Sequence, residues 1–115
     1  MFNRFLRGTL GTTAAETDVA QAAEVYSNGT TQIVDVREPK EWAGGHIPGA
    51  IHIPLGHLAQ RKQKLDPERP VITVCHSGSR SLAAAKVLSG GGFGDVKSLA
   101  GGMKAWIAAG QPVER

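Results

Sequence analysis

The 115-residue chain has a single cysteine, and its neighbours are the residues best suited to chemistry. Val71-Ile72-Thr73-Val74 is β-branched throughout and runs directly into Cys75-His76-Ser77-Gly78-Ser79-Arg80-Ser81. An alanine-rich stretch from Ser79 to Leu88 follows and reads as a helix. In a strand–loop–helix turn of this kind, the loop amides and the first unpaired N–H groups of the helix converge. With the helix dipole they form a cradle for an anion. A cysteine inside it is held as its thiolate, the nucleophilic form. A fall in pKa from ~8.5 to ~6.5 would raise the thiolate fraction at pH 7 from ~3 % to ~75 %. Gly78 lets the backbone adopt a left-handed or close-approach conformation in mid-loop.

Two local anomalies sharpen the reading. The positions three residues after Ser77, Ser79 and Ser81 hold Arg80, Leu82 and Ala84. None is the Glu or Gln that would close a capping box. Arg80 also puts a cation in the first helical turn, the unfavourable end of the dipole. An anionic ligand would resolve both. The plainer alternative makes Cys75 a small buried hydrophobe closing a core strand, which leaves the His-Ser-Gly-Ser-Arg run unexplained.

The elements that must position this loop follow from the pattern. Thr17 is the expected cap of a helix over Asp18–Ser27, with Val19, Ala22, Ala23 and Tyr26 as its apolar stripe and Asn28-Gly29 as its end. Short buried strands are expected at 32–36, 50–53, 71–74 and 96–99. Helices are expected at 38–42, with Pro39 in the first turn, and at 55–65, 79–88 and 102–109. Strands alternating with helices imply a parallel sheet covered on both faces, with ligands at the carboxyl ends of its strands. The Cys75 loop stands at such an end.

Composition excludes several classes. One cysteine cannot make an internal disulfide, a CxxC pair or a thiolate zinc cage. Glycine is abundant, at 15 residues, but shows no Gly-X-Y period, so the chain is not collagenous. No apolar run reaches the length of a membrane span. The net charge of +3 is scattered, with Arg61, Lys62 and Lys64 the only cluster and no aromatic beside it. That pattern reads as a solvated helix face, not a nucleic-acid footprint, although a basic surface also suits a small anionic substrate. Residues 1–16 read as a flexible tail and 17–115 as one domain. The N-terminal segment lacks the continuous apolar core of an export signal, so the cytoplasm, which keeps a thiol reduced, is the expected compartment.

Four segments in this order carry a resemblance. They are Asp35-Val36-Arg37-Glu38-Pro39 with Glu41-Trp42, Gly45-His46-Ile47-Pro48-Gly49-Ala50-Ile51, Cys75 to Ser81, and Leu99-Ala100-Gly101-Gly102-Met103-Lys104-Ala105-Trp106 with Gly110 and Pro112. From about Thr17 to Val113 the chain resembles a single-domain rhodanese, a sulfurtransferase. The resemblance implies an α/β domain with a central, mostly parallel five-stranded sheet and helices on both faces. It implies that Cys75 takes a sulfur from a small anionic donor such as thiosulfate, carries it as a persulfide and passes it to cyanide or a thiol, with no cofactor. His76, Ser77, Gly78, Ser79 and Arg80 would bind the donor and the persulfide. Four residues separate Cys75 from Arg80, where phosphatases of related fold have five and a wider ring. Phosphatase activity is therefore disfavoured, and arsenate reduction would need a second thiol from elsewhere. A sulfur-carrier module docking a dedicated protein acceptor is the alternative from a different functional class.

Of the remaining polar residues, Asp35, Arg37 and Ser81 are expected to support the site. Asp35 and Arg37 are better read as a scaffold pair than as substrate contacts, because charges near a core are usually paired. Glu41 reads as part of that network and not as a base, since a preformed thiolate needs none. His46, His52 and His57 lie six and five apart with Pro48 and Pro54 between them and share no helix face, so no metal site is expected. Trp42 and Trp106 read as packing residues.

Overall fold

The computed structural model describes residues 14–115. Of the tail expected over residues 1–16, positions 1–13 lie outside the described residues. Ala15 and Glu16, placed in that tail by the sequence reading, instead belong to strand β1 (Ala15–Thr17). The next helix, α1 (Val19–Asn28), is capped by Asp18 and not by Thr17. The Asp18 carboxylate accepts a 2.8 Å bond from the Gln21 amide, while Thr17 is occupied as the last strand residue, in register with Leu99. Two or three residues of strand offer little periodicity to read, which is why this edge is silent in the sequence.

The chain continues through β2 (Gln32–Asp35), α2 (Pro39–Ala43), β3 (Ile51–His52), α3 (Leu58–Arg61), β4 (Val71–Val74), α4 (Ser79–Gly90), β5 (Val96–Leu99) and α5 (Gly102–Ala108). The strands form one sheet in the order β1-β5-β4-β2-β3, and every pairing is parallel. The continuous helix expected over 55–65 is broken into a 3₁₀ turn at Leu55–His57, the short α3, and a second 3₁₀ turn at Lys62–Lys64. Of this stretch only Leu58 and Leu65 are buried. Short helices take most of their regularity from packing an apolar face, and two anchors seven residues apart provide little of it. Helix α4 runs two residues past its expected end, through Ser89 and Gly90, and stops at Gly91.

Period-2 alternation along the strands divides the core between the two faces of the sheet. Val34, Val36, Val71, Cys75 and Val96 pack with Leu58 of α3 and with Ala84, Ala85 and Leu88 of α4. Ile33, Ile72, Val74 and Leu99 pack with Ala22 of α1 and with Met103 and Trp106 of α5. The sheet register sets Asp35 beside Val74, so β2 and β4 deliver the Arg37 and Cys75 loops to the same edge. Among the described residues, no helix is long and apolar enough to cross a membrane.

Candidate functional site

Cys75 leaves the end of β4 almost wholly enclosed, with 1 % of its surface exposed. Its sulfur lies on the floor of the loop. The Gly78 amide donates to it at 3.1 Å and the Ser81 amide at 3.3 Å, and the Ser81 hydroxyl stands 3.4 Å away. Gly78, at φ +116°, makes this curl possible as the residue before α4; a side chain there would strain the turn. The amides of Gly78 and Ser81 thus form a cradle around the sulfur. Burial pushes the Cys75 thiol up, and the Ser81 hydroxyl with the amides of Ser81, Gly78 and Ser77 more than offsets it. The net shift is downward from the ordinary thiol value.

Beneath the loop, the N-terminus of α5 braces the backbone. The Met103 amide donates to the Cys75 carbonyl at 2.8 Å and the Lys104 amide to the His76 carbonyl at 3.1 Å. The two backbone segments approach so closely at Gly102 that a Cβ would meet the His76 carbonyl carbon at 2.6 Å. Gly102 also has φ +56°, so two constraints demand glycine at one position.

Arg80 differs from expectation. Its unfavourable position at the start of α4 is resolved within the protein, by Glu41 of α2. The pair is bidentate, Nη1 to Oε1 at 2.8 Å and Nη2 to Oε2 at 2.9 Å, with both side chains about one-third exposed. Hydrogen bonding to Arg80 lowers the Glu41 carboxyl to about 2. The Arg80 guanidinium is held more firmly protonated by Glu41, and by the charge on Cys75 to a smaller extent. Glu41 thus belongs to the rim of the Cys75 loop and not to the Asp35–Arg37 pair.

That second pair is a buried unit. Arg37 Nε donates to Asp35 at 2.9 and 3.1 Å, and its Nη2 donates to Asp35 at 2.7 Å and to the Gly45 carbonyl at 2.7 Å. Those donors bind the exit of β2 to the loop after α2, in agreement with the scaffold reading. His76, Ser77 and Ser79 are exposed around the loop, while Ser81 is fully buried under the sulfur.

Sequence spacing misses two constellations. Ser98 on β5 sends its hydroxyl to within 2.7 Å of Ser81 Oγ. The signal was present only as alternation, with Val96 and Ser98 sharing the buried face of the strand. His46 and His52 also converge, on opposite sides of no helix but on one side chain. His46 stacks on Trp42 at 3.6 Å between centroids and His52 stacks on it at 4.7 Å. Their other bonds run to the Trp42 and Arg37 carbonyls, so packing brings together rings that chain spacing keeps apart. Among the described residues no group of three or more His, Cys, Asp or Glu is placed to hold a metal ion.

Comparison with known proteins agrees with this geometry. The family model of the rhodanese-like domain matches residues 18–109. The chain is 45 % identical over 75 residues to the "Uncharacterized protein YqhL" of Bacillus subtilis, covering 65 % of this chain and 60 % of that one. It is 40 % identical over 83 residues to the "Putative sulfur carrier protein YrkF" of the same organism, covering 72 % and 45 % respectively. The matches therefore span about half the length of these curated relatives. The crystal structure of a rhodanese-related protein from Thermoplasma volcanium matches with a TM-score of 0.77 at 32 % identity, over 87 % of this chain and 97 % of that chain.

Proposed function

The chain belongs to the rhodanese-like domain family, and from that premise we propose that it is a sulfurtransferase whose Cys75 carries sulfane sulfur as a persulfide. The observation that carries the reading is the pair of amides, from Gly78 and Ser81, already directed at the cysteine sulfur. Donors fixed on a sulfur before reaction stabilise its anion without reorganisation.

The chemistry is two displacements. The Cys75 thiolate attacks the outer sulfur of thiosulfate. A sulfur–sulfur bond forms at Sγ, the bond to the sulfonate sulfur breaks, and its electron pair leaves with sulfite. An acceptor thiolate, or cyanide, then attacks the outer sulfur of the persulfide, and the Cys75 thiolate departs with the bonding pair. Each step exchanges one anion for another, so neither a base nor a cofactor enters. The loop backbone from His76 to Arg80 holds the charge of the outer sulfur, and the four residues between Cys75 and Arg80 form a ring that suits one sulfur atom better than a tetrahedral phosphate. A reduced compartment such as the cytoplasm keeps the lone thiol available.

Two observations favour a protein as the physiological acceptor. Arg80, the cation expected to meet a sulfonate, is already paired with Glu41, and one relative is named as a putative sulfur carrier. Thiocyanate formation from thiosulfate and cyanide, run beside persulfide transfer to a small thiol and to protein thiols, tests both readings. Transfer that Cys75→Ser abolishes is expected. Rapid transfer to protein thiols with slow transfer to small acceptors selects the carrier role, and transfer to none of them overturns the proposal.

A further inference from the structure

Behind the sulfur lie three buried hydroxyls, on Thr73, Ser81 and Ser98, each with no exposed surface. Thr73 and Ser98 are register partners on β4 and β5, and α4 places Ser81 over them. A hydroxyl has one proton to give and two lone pairs to receive with, so the bonds can be counted. Thr73 commits its proton to the Ser81 carbonyl at 2.8 Å. Ser81 Oγ has three neighbours: Cys75 Sγ at 3.4 Å, the Gly78 carbonyl at 3.1 Å and Ser98 Oγ at 2.7 Å.

With Cys75 as a thiol, the S–H donates to Ser81 Oγ and Ser81 passes its own proton to the Gly78 carbonyl. With Cys75 as a thiolate, the sulfur only accepts, and the Ser81 proton must turn to it. The Gly78 carbonyl tolerates that loss because the Leu82 amide also donates to it, at 3.2 Å. What Ser81 then lacks is a donor to its own lone pairs, and Ser98 stands at the right distance to be one. A hydroxyl that accepts a hydrogen bond becomes a stronger donor and a poorer acceptor. Donation from Ser98 therefore favours the state in which Ser81 donates to an anionic sulfur.

We infer that Ser98 is a positioning residue for the nucleophile: through Ser81 it biases Cys75 toward the thiolate. The inference rests on the reading of Cys75 as a thiolate nucleophile. The charged group acting on Cys75 is Arg80 at the start of α4, itself paired with Glu41 of α2, and His76 is the titratable residue next in the loop. Both serines are fully buried, so replacing them leaves that set in place.

Because the chain has one cysteine, the ultraviolet absorbance of the thiolate against pH, taken as a difference from Cys75→Ser to remove the Tyr26 phenolate, reports Cys75 and does so whether or not sulfur is transferred. Ser98→Ala is expected to raise the titration midpoint, cutting the thiolate fraction below the midpoint about two- to fivefold. Ser98→Thr, which keeps the hydroxyl, is expected to restore it. In a Ser81→Ala background the Ser98→Ala change is expected to move nothing further, since the path runs through Ser81. The cycle decides even if the threonine variant packs badly. A midpoint unmoved by Ser98→Ala, or moved equally with and without Ser81, overturns the inference. An unchanged midpoint with a slower alkaline plateau of alkylation also overturns it, by showing a purely structural role. Absence of sulfur transfer by the parent chain, with the titration shifts of the variants as expected, would instead count against the sulfurtransferase reading alone.

Discussion

Asp35–Arg37 and Glu41–Arg80 are built from the same two functional groups and flank the same loop, yet they do different work. The first pair is 1 % and 6 % exposed; the second is 33 % and 35 % exposed. Arg37 spends its donors on Asp35 and on a backbone carbonyl, binding one loop to another. Arg80 spends its donors on Glu41 alone, at the rim of the Cys75 loop. Breaking a buried pair strands a charge and costs ~3–5 kcal/mol, whereas an exposed pair is worth ~0.2–1 kcal/mol. Burial therefore separates a pair that holds the scaffold from one free to serve binding.

The strongest attempt to break this contrast is Arg37→Leu, which leaves the Asp35 carboxylate buried without its partner. A stability loss of ~3–5 kcal/mol is expected by denaturant unfolding; a loss below 1 kcal/mol would put the two pairs in one class. Next in size is Gly102→Ala, which attacks the loop through its backbone brace. Positive φ alone costs a non-glycine residue ~1–2 kcal/mol, and the clash with the His76 carbonyl must move the loop. Sulfur transfer is expected to fall by about tenfold or more, since small misplacements of reacting groups are costly. Unchanged transfer would mean the brace is irrelevant to the sulfur.

Glu41→Gln should barely alter stability, by ~0.2–1 kcal/mol, while freeing Arg80 to meet an anion. The KM for thiosulfate is expected to fall about two- to fivefold, by removal of a like charge; a higher KM would mean that the pair itself binds the donor. The smallest effect is a pH dependence. The Glu41 carboxyl is lowered from 4.5 to about 2, so the unfolded chain binds the proton first. Its stabilising contribution is complete above pH 4.5 and lost as pH falls toward 2. The unfolding free energies of the parent chain and Glu41→Gln should therefore converge between these values, and a gap that persists at the acid end would contradict the assignment.

The sequence was most informative where chemistry and local structure coincide. Cys75 after four β-branched residues, Gly78 in mid-loop and a helix beginning at Ser79 all act on near neighbours, and each is where the pattern put it. The misplaced cation at Arg80 was legible as an anomaly, but its resolution came from Glu41, thirty-nine residues away on another helix. Ser98 was invisible as a functional residue for the same reason, because its partner Ser81 meets it only when β5 joins β4. The His46–Trp42–His52 stack shows the limit of spacing arguments, since two histidines that share no helix face are brought onto the Trp42 ring of α2 by the path of the chain from α2 into β3. The edge strand β1 was missed because three residues paired on one side carry no period.

The most direct test of the account is the intact mass of the protein after incubation with thiosulfate and removal of excess donor. A gain of one sulfur atom is expected, removed by dithiothreitol and absent from Cys75→Ser. An unchanged mass across the pH range in which Cys75 titrates would contradict the proposal that this cysteine carries sulfur.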